Sequence, residues 1–161
     1  MVEASQAGDG IVFRNVDYAC DIAGACLQTY ADELSARLNL VFDLENSGVS
    51  EVSHMQPPHG TFIVAQMQGN PVGCVGIKGT GGTIAEVKRM WIAPAARGQG
   101  LARRMMATAE DAARGLGIKT LRLDTNRKLF EAVKMYENTG WREIARFNDD
   151  PYPDIFFEKA L

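Results

Sequence analysis

The residues best suited to bind a ligand form one short stretch, residues 97–102, which reads RGQGLA. A strand pattern leads into this stretch and a helix pattern leads out of it. Its backbone N–H groups therefore lie at a helix N-terminus, where roughly half a positive charge attracts anions. Gly98 and Gly100 would let a phosphate approach the backbone closely, and Arg97 and Arg103 would add positive charge beside it. The stretch predicts a phosphate or pyrophosphate site, although a GxG pair alone also fits a tight strand-to-helix turn.

Two familiar nucleotide loops do not fit the same residues. A Walker A loop needs the pattern GxxxxGK[ST], which the stretch lacks. A dinucleotide fingerprint needs a third glycine or an alanine at the position that Arg103 occupies. The sequence therefore argues against both kinds of nucleotide-binding domain.

The elements that must position this loop follow from the hydrophobic pattern and the turn residues. Turn signals at residues 69–71 and 79–82 divide the segment from 61 to 92 into three strands, which predicts an antiparallel meander. Asp17 is available as the N-cap of the first helix. The order of elements predicts an α+β (mixed α/β) domain with one mixed sheet and helices on both faces. The predicted strands cover residues 11–13, 61–67, 72–77, 83–92, 118–123, 141–147 and 155–159. The predicted helices cover about 20 residues after Asp17, then 43–55, 98–116 and the apolar stripe from Leu129 to Tyr136.

Length, charge and composition limit the class of protein. The 161 residues, 46% of them apolar, fit one domain spanning residues 1–161. The 17 Lys and Arg against 20 Asp and Glu give a formal charge of −3, which argues against nucleic acid or an anionic membrane as the main partner. The N-terminal residues do not resemble a signal peptide, and no apolar run reaches the roughly 20 residues that span a bilayer. We therefore expect a cytoplasmic protein.

Metal binding is not expected. The three cysteines have no CxxC spacing, and the two histidines, His54 and His59, have no nearby cysteine or paired carboxylates. The histidines flank a Pro-Pro break and could line an acceptor channel, but the pattern favours surface or core positions for both.

Two motifs together make the sequence resemble the GNAT superfamily of acyl-CoA-dependent N-acetyltransferases. Residues 97–102 fit the pattern [Q/R]xxGx[G/A] of that family, and residues 136–141, YENTGW, resemble its YExxGF signature with tryptophan for phenylalanine. The predicted elements around the two motifs follow the family's order over nearly the whole chain. The resemblance implies a GNAT-like central sheet, mostly antiparallel and of about six to seven strands.

The resemblance also implies how the co-substrate, acetyl-CoA, is held. Backbone N–H groups of the 97–102 loop would bind its pyrophosphate, and pantetheine would lie along the preceding strand. In the family that strand carries a bulge, which exposes a backbone group able to bond the thioester carbonyl. The implied CoA-contacting residues are Met90, Trp91, Ile92, Arg97, Gly98, Gln99, Gly100, Leu101, Ala102 and Arg103.

One position departs from the family's pattern. Many members have an asparagine three residues before the alanine that corresponds to Ala132, where this chain has Leu129. Asn126 could supply a polar contact to pantetheine in its place, and a helix N-terminal or loop role is the alternative.

The resemblance implies two catalytic candidates. An attacking amine must lose a proton, and in part of the family a glutamate at the position of Glu86 is the general base; the alternative is a salt bridge to Lys88 or Arg89. Tyr136 could protonate the CoA thiolate as it leaves, and the alternative is a core aromatic on its helix.

The acceptor is an amine-bearing small molecule or peptide that the sequence does not identify. Its binding could involve Glu86, Asp124 or the loop carboxylates Asp149, Asp150 and Asp154, although exposed acidic loops are usually only solvated. Edge strands near the C-terminus are compatible with a homodimer. The expected function is direct acetyl transfer in a ternary complex, because no cysteine has a matched base beside it. The alternative is a non-catalytic acyl-CoA-binding regulatory module.

Overall fold

The computed structural model describes residues 10–41 and 52–161, and these build one seven-stranded sheet. The strands lie in the order β1-β2-β3-β4-β5-β7-β6. Their bounds are β1 Ile11–Val16, β2 Thr61–Met67, β3 Asn70–Gly79, β4 Ile84–Ile92, β5 Thr120–Thr125, β6 Arg142–Ile144 and β7 Ile155–Ala160. The main helices are α1 Asp21–Leu38, α2 Leu101–Gly115 and α3 Phe130–Asn138, with a short 3-10 turn at Pro94–Ala96.

The sheet is antiparallel except between β4 and β5. The predicted meander of β2, β3 and β4 is confirmed, and so is the mixed α/β fold with helices on both faces. One face buries α2 through Met105, Ala109 and Ala113. The opposite face packs against α1 through Ala23 and Leu27, among other residues. Because both faces are covered, the central strands bury side chains on each side.

The parallel pairing of β4 and β5 stops before either strand ends. Its register runs only from Ile84–Thr120 to Glu86–Arg122, although β4 continues to Ile92 and β5 to Thr125. Beyond Glu86 the two strands part. This separation opens the middle of the sheet toward the N-terminus of α2.

A bulge in β4 lies directly beyond that point. Gly76 of β3 pairs with Lys88 and Cys74 pairs with Trp91, so Arg89 and Met90 together oppose Val75. Arg89 has a φ of 58°, a left-handed conformation that non-glycine residues rarely adopt. The structure thus contains the bulge that the resemblance implied. A bulge of this kind changes the direction of the side chains that follow it.

Some predicted boundaries were wrong. Asp17 does not cap α1, which begins after Cys20; its Oδ1 instead accepts a hydrogen bond from the Ala19 N–H at 2.8 Å in the preceding turn. Residues 98–100 form a loop rather than the start of α2. The helix predicted over residues 43–55 lies mostly outside the described residues.

The predicted strand 141–147 is shorter than expected because its second half belongs to a loop. The Arg146 guanidinium donates hydrogen bonds to the carbonyls of Asn148, Asp150 and Pro153, which folds the chain back after β6. This loop brings Tyr152 to the end of β5.

Within the described part of the chain, no helix is long and apolar enough to pass through a bilayer.

Candidate active site

A cavity of about 480 Å³ occupies the gap between the parted ends of β4 and β5. Its walls come from α1, the end of β4, the loop before α2, the end of β5 and α3, with Tyr152 closing one side. Of the residues that sequence and resemblance suggested, those lining it are Met90, Trp91, Ile92, Arg97, Gly98, Gly100, Leu101, Ala102, Arg103, Asp124 and Tyr136. Glu86, Gln99 and Asn126 are not among its lining residues.

The loop before α2 is shaped for close approach of a ligand. Gly98 and Gly100 have φ values of 76° and 78°, and a Cβ added at either would meet nothing within 4 Å. The space beside both residues is therefore open, so a ligand could approach their backbone. The hydrogen bond from Arg104 N to Gly100 O, at 3.3 Å, begins the helical pattern, so the N–H groups of residues 101–103 point out of the helix end.

Arg97 is held at this loop by two elements. Its Nε donates to the Ile92 carbonyl at 3.0 Å, and its Nη2 forms an ion pair with Glu33 of α1. The other oxygen of Glu33 accepts a hydrogen bond from Trp91 Nε1 at 2.9 Å. One carboxylate of α1 therefore links the end of β4 to the loop of residues 97–102.

Tyr136 lies in the wall of the cavity and in the core at once. Its ring packs against Trp141 and Phe157, each at a centroid distance of 5.8 Å, and the residue is 4% exposed. Burial, with smaller contributions from Tyr30 and Asp124, raises its pKa well above the usual range. The hydroxyl is protonated at neutral pH, as in an ordinary tyrosine, and can donate a hydrogen bond; the raised pKa makes it a weaker acid.

Glu86 lies outside the main cavity. It lines a smaller cavity of about 220 Å³ with Lys78 and Arg122, and its Oε2 lies 3.2 Å from Lys88 Nζ. Lys88 does line the main cavity, and its Nζ lies 3.7 Å from Asp124 Oδ2. Glu86 therefore contacts a residue of the cavity wall, Lys88, without lining the cavity itself. This ion pair agrees with the salt-bridge alternative for Glu86.

The charge of Lys88 is stable in this position. Burial alone would lower its pKa, but the negative charges of Asp124 and Glu86 outweigh burial, and the pKa lies above the usual value. Lys88 is therefore protonated at neutral pH and cannot act as a base.

The other sequence candidates lie away from the cavity walls. Asn126 uses its side chain within the loops, donating to the Tyr152 carbonyl at 2.6 Å and accepting from Lys128 N at 3.0 Å. That geometry agrees with its loop alternative. Asp154 accepts a hydrogen bond from Arg127 N at 2.8 Å. Asp149, Asp150, His54 and His59 do not line the cavity either.

Sequence reasoning missed several residues that do line it. One face of α1 contributes residues at the spacing i, i+3, i+4 and i+7, namely Tyr30, Glu33, Leu34 and Arg37. The spacing shows that they share a helix face, but it does not show that this face lines a cavity. Arg89 and Tyr152 had no such signal, because the first depends on the bulge and the second on an irregular loop.

Comparison with known proteins identifies the class to which this fold and site belong. The sequence model of the Acetyltransferase (GNAT) family matches residues 19–141. An IAA acetyltransferase from Azospirillum brasilense is 33% identical over 135 residues, which cover 81% of this chain and 87% of that relative. This chain therefore belongs to the GNAT family, in which acetyl transfer from acetyl-CoA is the general activity.

Solved structures agree on the fold. An acetyltransferase from Streptococcus agalactiae superimposes with a TM-score of 0.80 at 19% identity, covering 94% of this chain and 99% of that one. PaiA N-acetyltransferase from Thermoplasma acidophilum, solved in complex with coenzyme A, gives a TM-score of 0.71 at 16% identity, with coverages of 94% and 99%.

Proposed function

We propose that this protein is an N-acetyltransferase that moves an acetyl group from acetyl-CoA directly to a primary amine. The nitrogen of the neutral amine attacks the thioester carbonyl carbon, a C–N bond forms and the C–S bond breaks. The nitrogen loses one proton, and the CoA thiolate takes one up. None of the three cysteines lines the cavity, which favours direct transfer over a covalent acyl-enzyme.

The observation that carries the proposal is that the anion-binding loop, the parted strands and Tyr136 line one continuous cavity. The loop at Gly98 and Gly100 suits the pyrophosphate. The gap between β4 and β5 leaves unpaired strand backbone along which pantetheine would run, past Met90 and Ile92. The donor would thus bring its thioester to the bulge.

The roles at the reacting atoms follow from that path. A backbone N–H exposed by the bulge would stabilise the oxyanion formed on attack. Tyr136, which keeps its proton at neutral pH, would donate to the departing sulfur. Glu86 stays a candidate base only through a water or through its neighbours, since it does not line the cavity.

The test of the donor site is calorimetric titration of acetyl-CoA into the wild type, Gly100→Asp and Gly100→Asn. Aspartate and asparagine have the same size and both tolerate the left-handed conformation of residue 100, so the pair isolates the added negative charge. We expect saturable binding to the wild type and at least tenfold weaker binding, about 1.4 kcal/mol, for Gly100→Asp than for Gly100→Asn.

Release of CoA with a panel of primary amines then tests transfer. Absence of acetyl-CoA binding by the wild type would refute the proposal. Binding without transfer to any amine would point to the non-catalytic acyl-CoA-binding module instead.

A further inference from the structure

Two carboxylates compete for Lys88, and only one of them lines the main cavity. Lys88 Nζ lies 3.2 Å from Glu86 and 3.7 Å from Asp124. The Glu86 side chain is 32% exposed, whereas that of Asp124 is 3% exposed. The closer ion pair is therefore the outer one, and the buried carboxylate is the one that a molecule in the cavity would meet.

Asp124 has one oxygen with room for a further donor. Its Oδ2 accepts a hydrogen bond from Asn148 Nδ2 at 2.6 Å and is the atom nearest Lys88. Its Oδ1 accepts a long hydrogen bond, from the Tyr152 hydroxyl at 3.3 Å, among the residues that the structure describes. A carboxylate offers about four lone-pair sites, so Oδ1 can accept an N–H from a ligand.

The surroundings of Asp124 suit an ammonium group. Tyr30, Tyr136 and Tyr152 line the same cavity, and the charge of Asp124 adds to burial in raising the pKa of each of the three. Arg89 lines the same cavity, and its positive charge lowers the pKa of Tyr30 and Tyr152. The charge of Asp124 attracts a cation, so an ammonium group would compete with Lys88 and Arg89 for it.

The position of Asp124 also suits the reaction. It lies on the end of β5, across the gap from the β4 bulge and in the same cavity as Tyr136. An amine held there faces the strand along which the thioester would lie.

We propose that Asp124 binds the amino group of the acceptor as an ammonium ion, which must lose a proton before the nitrogen attacks, and that Glu86 affects acceptor binding only by holding Lys88. The inference deepens the proposed function and rests on it. It narrows the acceptor to an amine that carries its positive charge into a pocket walled by tyrosines. It also assigns substrate recognition to β5 and not to the outer glutamate on β4.

The test uses the isosteric pair Asp124→Asn and Glu86→Gln in the full-length protein, each checked by a thermal melt. The acceptor probe is the best wild-type substrate among glycinamide, a diamine, an aminoglycoside and a peptide with a free N-terminus, measured by CoA release. Acetyl-CoA affinity is measured separately by calorimetry.

We expect Asp124→Asn to raise the KM for the amine at least tenfold while the Kd for acetyl-CoA changes less than twofold. Glu86→Gln should change that KM less than threefold. An unchanged KM in Asp124→Asn, or an equal rise in both variants, would overturn the assignment. So would a wild type that binds acetyl-CoA but acetylates no amine of the panel, whereas a wild type that does not bind acetyl-CoA would refute the proposed function itself.

A second variant, for which we expect a change in KM of opposite sign, tests the proposal even if Asp124→Asn does not fold. Lys88→Gln removes the cation that shares the charge of Asp124, so we expect the KM for the amine to fall severalfold. A higher KM in Lys88→Gln would contradict the proposal, because Lys88 would then be helping the acceptor to bind.

Discussion

Tyr136 shows how one residue can satisfy a structural and a chemical requirement together. Its ring is part of the core with Trp141 and Phe157, while the residue also lines the cavity. The core role and the proton-donor role therefore do not exclude each other. The buried ring fixes the position of the hydroxyl, and burial raises its pKa further above neutral pH.

Replacing Tyr136 by phenylalanine separates the two roles, because the ring stays and only the hydroxyl is lost. We expect kcat to fall about 100-fold, the lower end of what a proton donor contributes, with the Kd for acetyl-CoA within twofold of the wild type. CoA release under saturating substrates measures the first quantity and calorimetry the second. Tyr18→Phe is the control, since Tyr18 packs on Phe62 outside the cavity and should leave kcat unchanged. Full turnover in Tyr136→Phe would remove the residue from the mechanism.

At the scale of elements, Glu33 of α1 contacts both the end of β4 and Arg97 in the loop before α2. This carboxylate satisfies the indole N–H of Trp91 and neutralises part of the charge of Arg97. The contact stabilises the end of β4, and it also places a negative charge in the wall of a cavity proposed to hold pyrophosphate.

Glu33→Gln tests the balance between these two effects. The amide can still accept from Trp91, but the negative charge is gone, so we expect acetyl-CoA to bind severalfold tighter at low salt. We also expect a loss of about 1 kcal/mol in the free energy of unfolding, from the weakened pair with Arg97. Calorimetry and urea unfolding measure the two quantities.

Glu131→Gln is the matched control, because Glu131 also lines the cavity but its side chain is 58% exposed and pairs with Arg37. Solvent screening should make its effect on affinity smaller. Weaker acetyl-CoA binding in Glu33→Gln would show that Glu33 positions Arg97 for the phosphate instead of opposing it.

At the scale of the whole molecule, the tyrosines around the cavity connect the site to overall stability. Burial raises the pKa of Tyr30 to about 12 and raises those of Tyr136 and Tyr152 as well. Above pH 10 the unfolded chain loses these protons while the folded chain keeps them. The unfolded state then binds fewer protons, so stability is complete below about pH 10 and falls as the pH rises toward 12.

We therefore expect the melting temperature to decrease steeply between pH 10 and 11.5. Tyr30→Phe should show a shallower decrease over the same range, because one of the contributing hydroxyls is absent. Thermal melts followed by circular dichroism at several pH values measure both curves. Parallel curves for the variant and the wild type would show that Tyr30 does not contribute.

The sequence predicted much of the architecture because local patterns carry that information. The three strands of the meander, the helix after the glycine loop and the YENTGW signature depend on side-chain period and turn residues, which are local properties. The same reasoning failed at Asp17 and at the second half of the predicted strand 141–147. At these two places, hydrogen bonds from the Ala19 N–H and the Arg146 guanidinium stabilise a turn and a loop. Secondary-structure propensity does not predict such contacts.

The choice between Glu86 and Asp124 shows what the sequence could not decide. The family resemblance implied a catalytic role at the position of Glu86. Alternation along a strand predicts only which residues share a face of the sheet. Which carboxylate lines the cavity depends on where β4 separates from β5, and the bulge at Arg89 depends on the pairing of β4 with β3. By itself the sequence determined the order of elements and the glycine-containing turn that precedes α2. The tertiary structure decided which side chains meet there, because distances between strands depend on partners far apart in the chain.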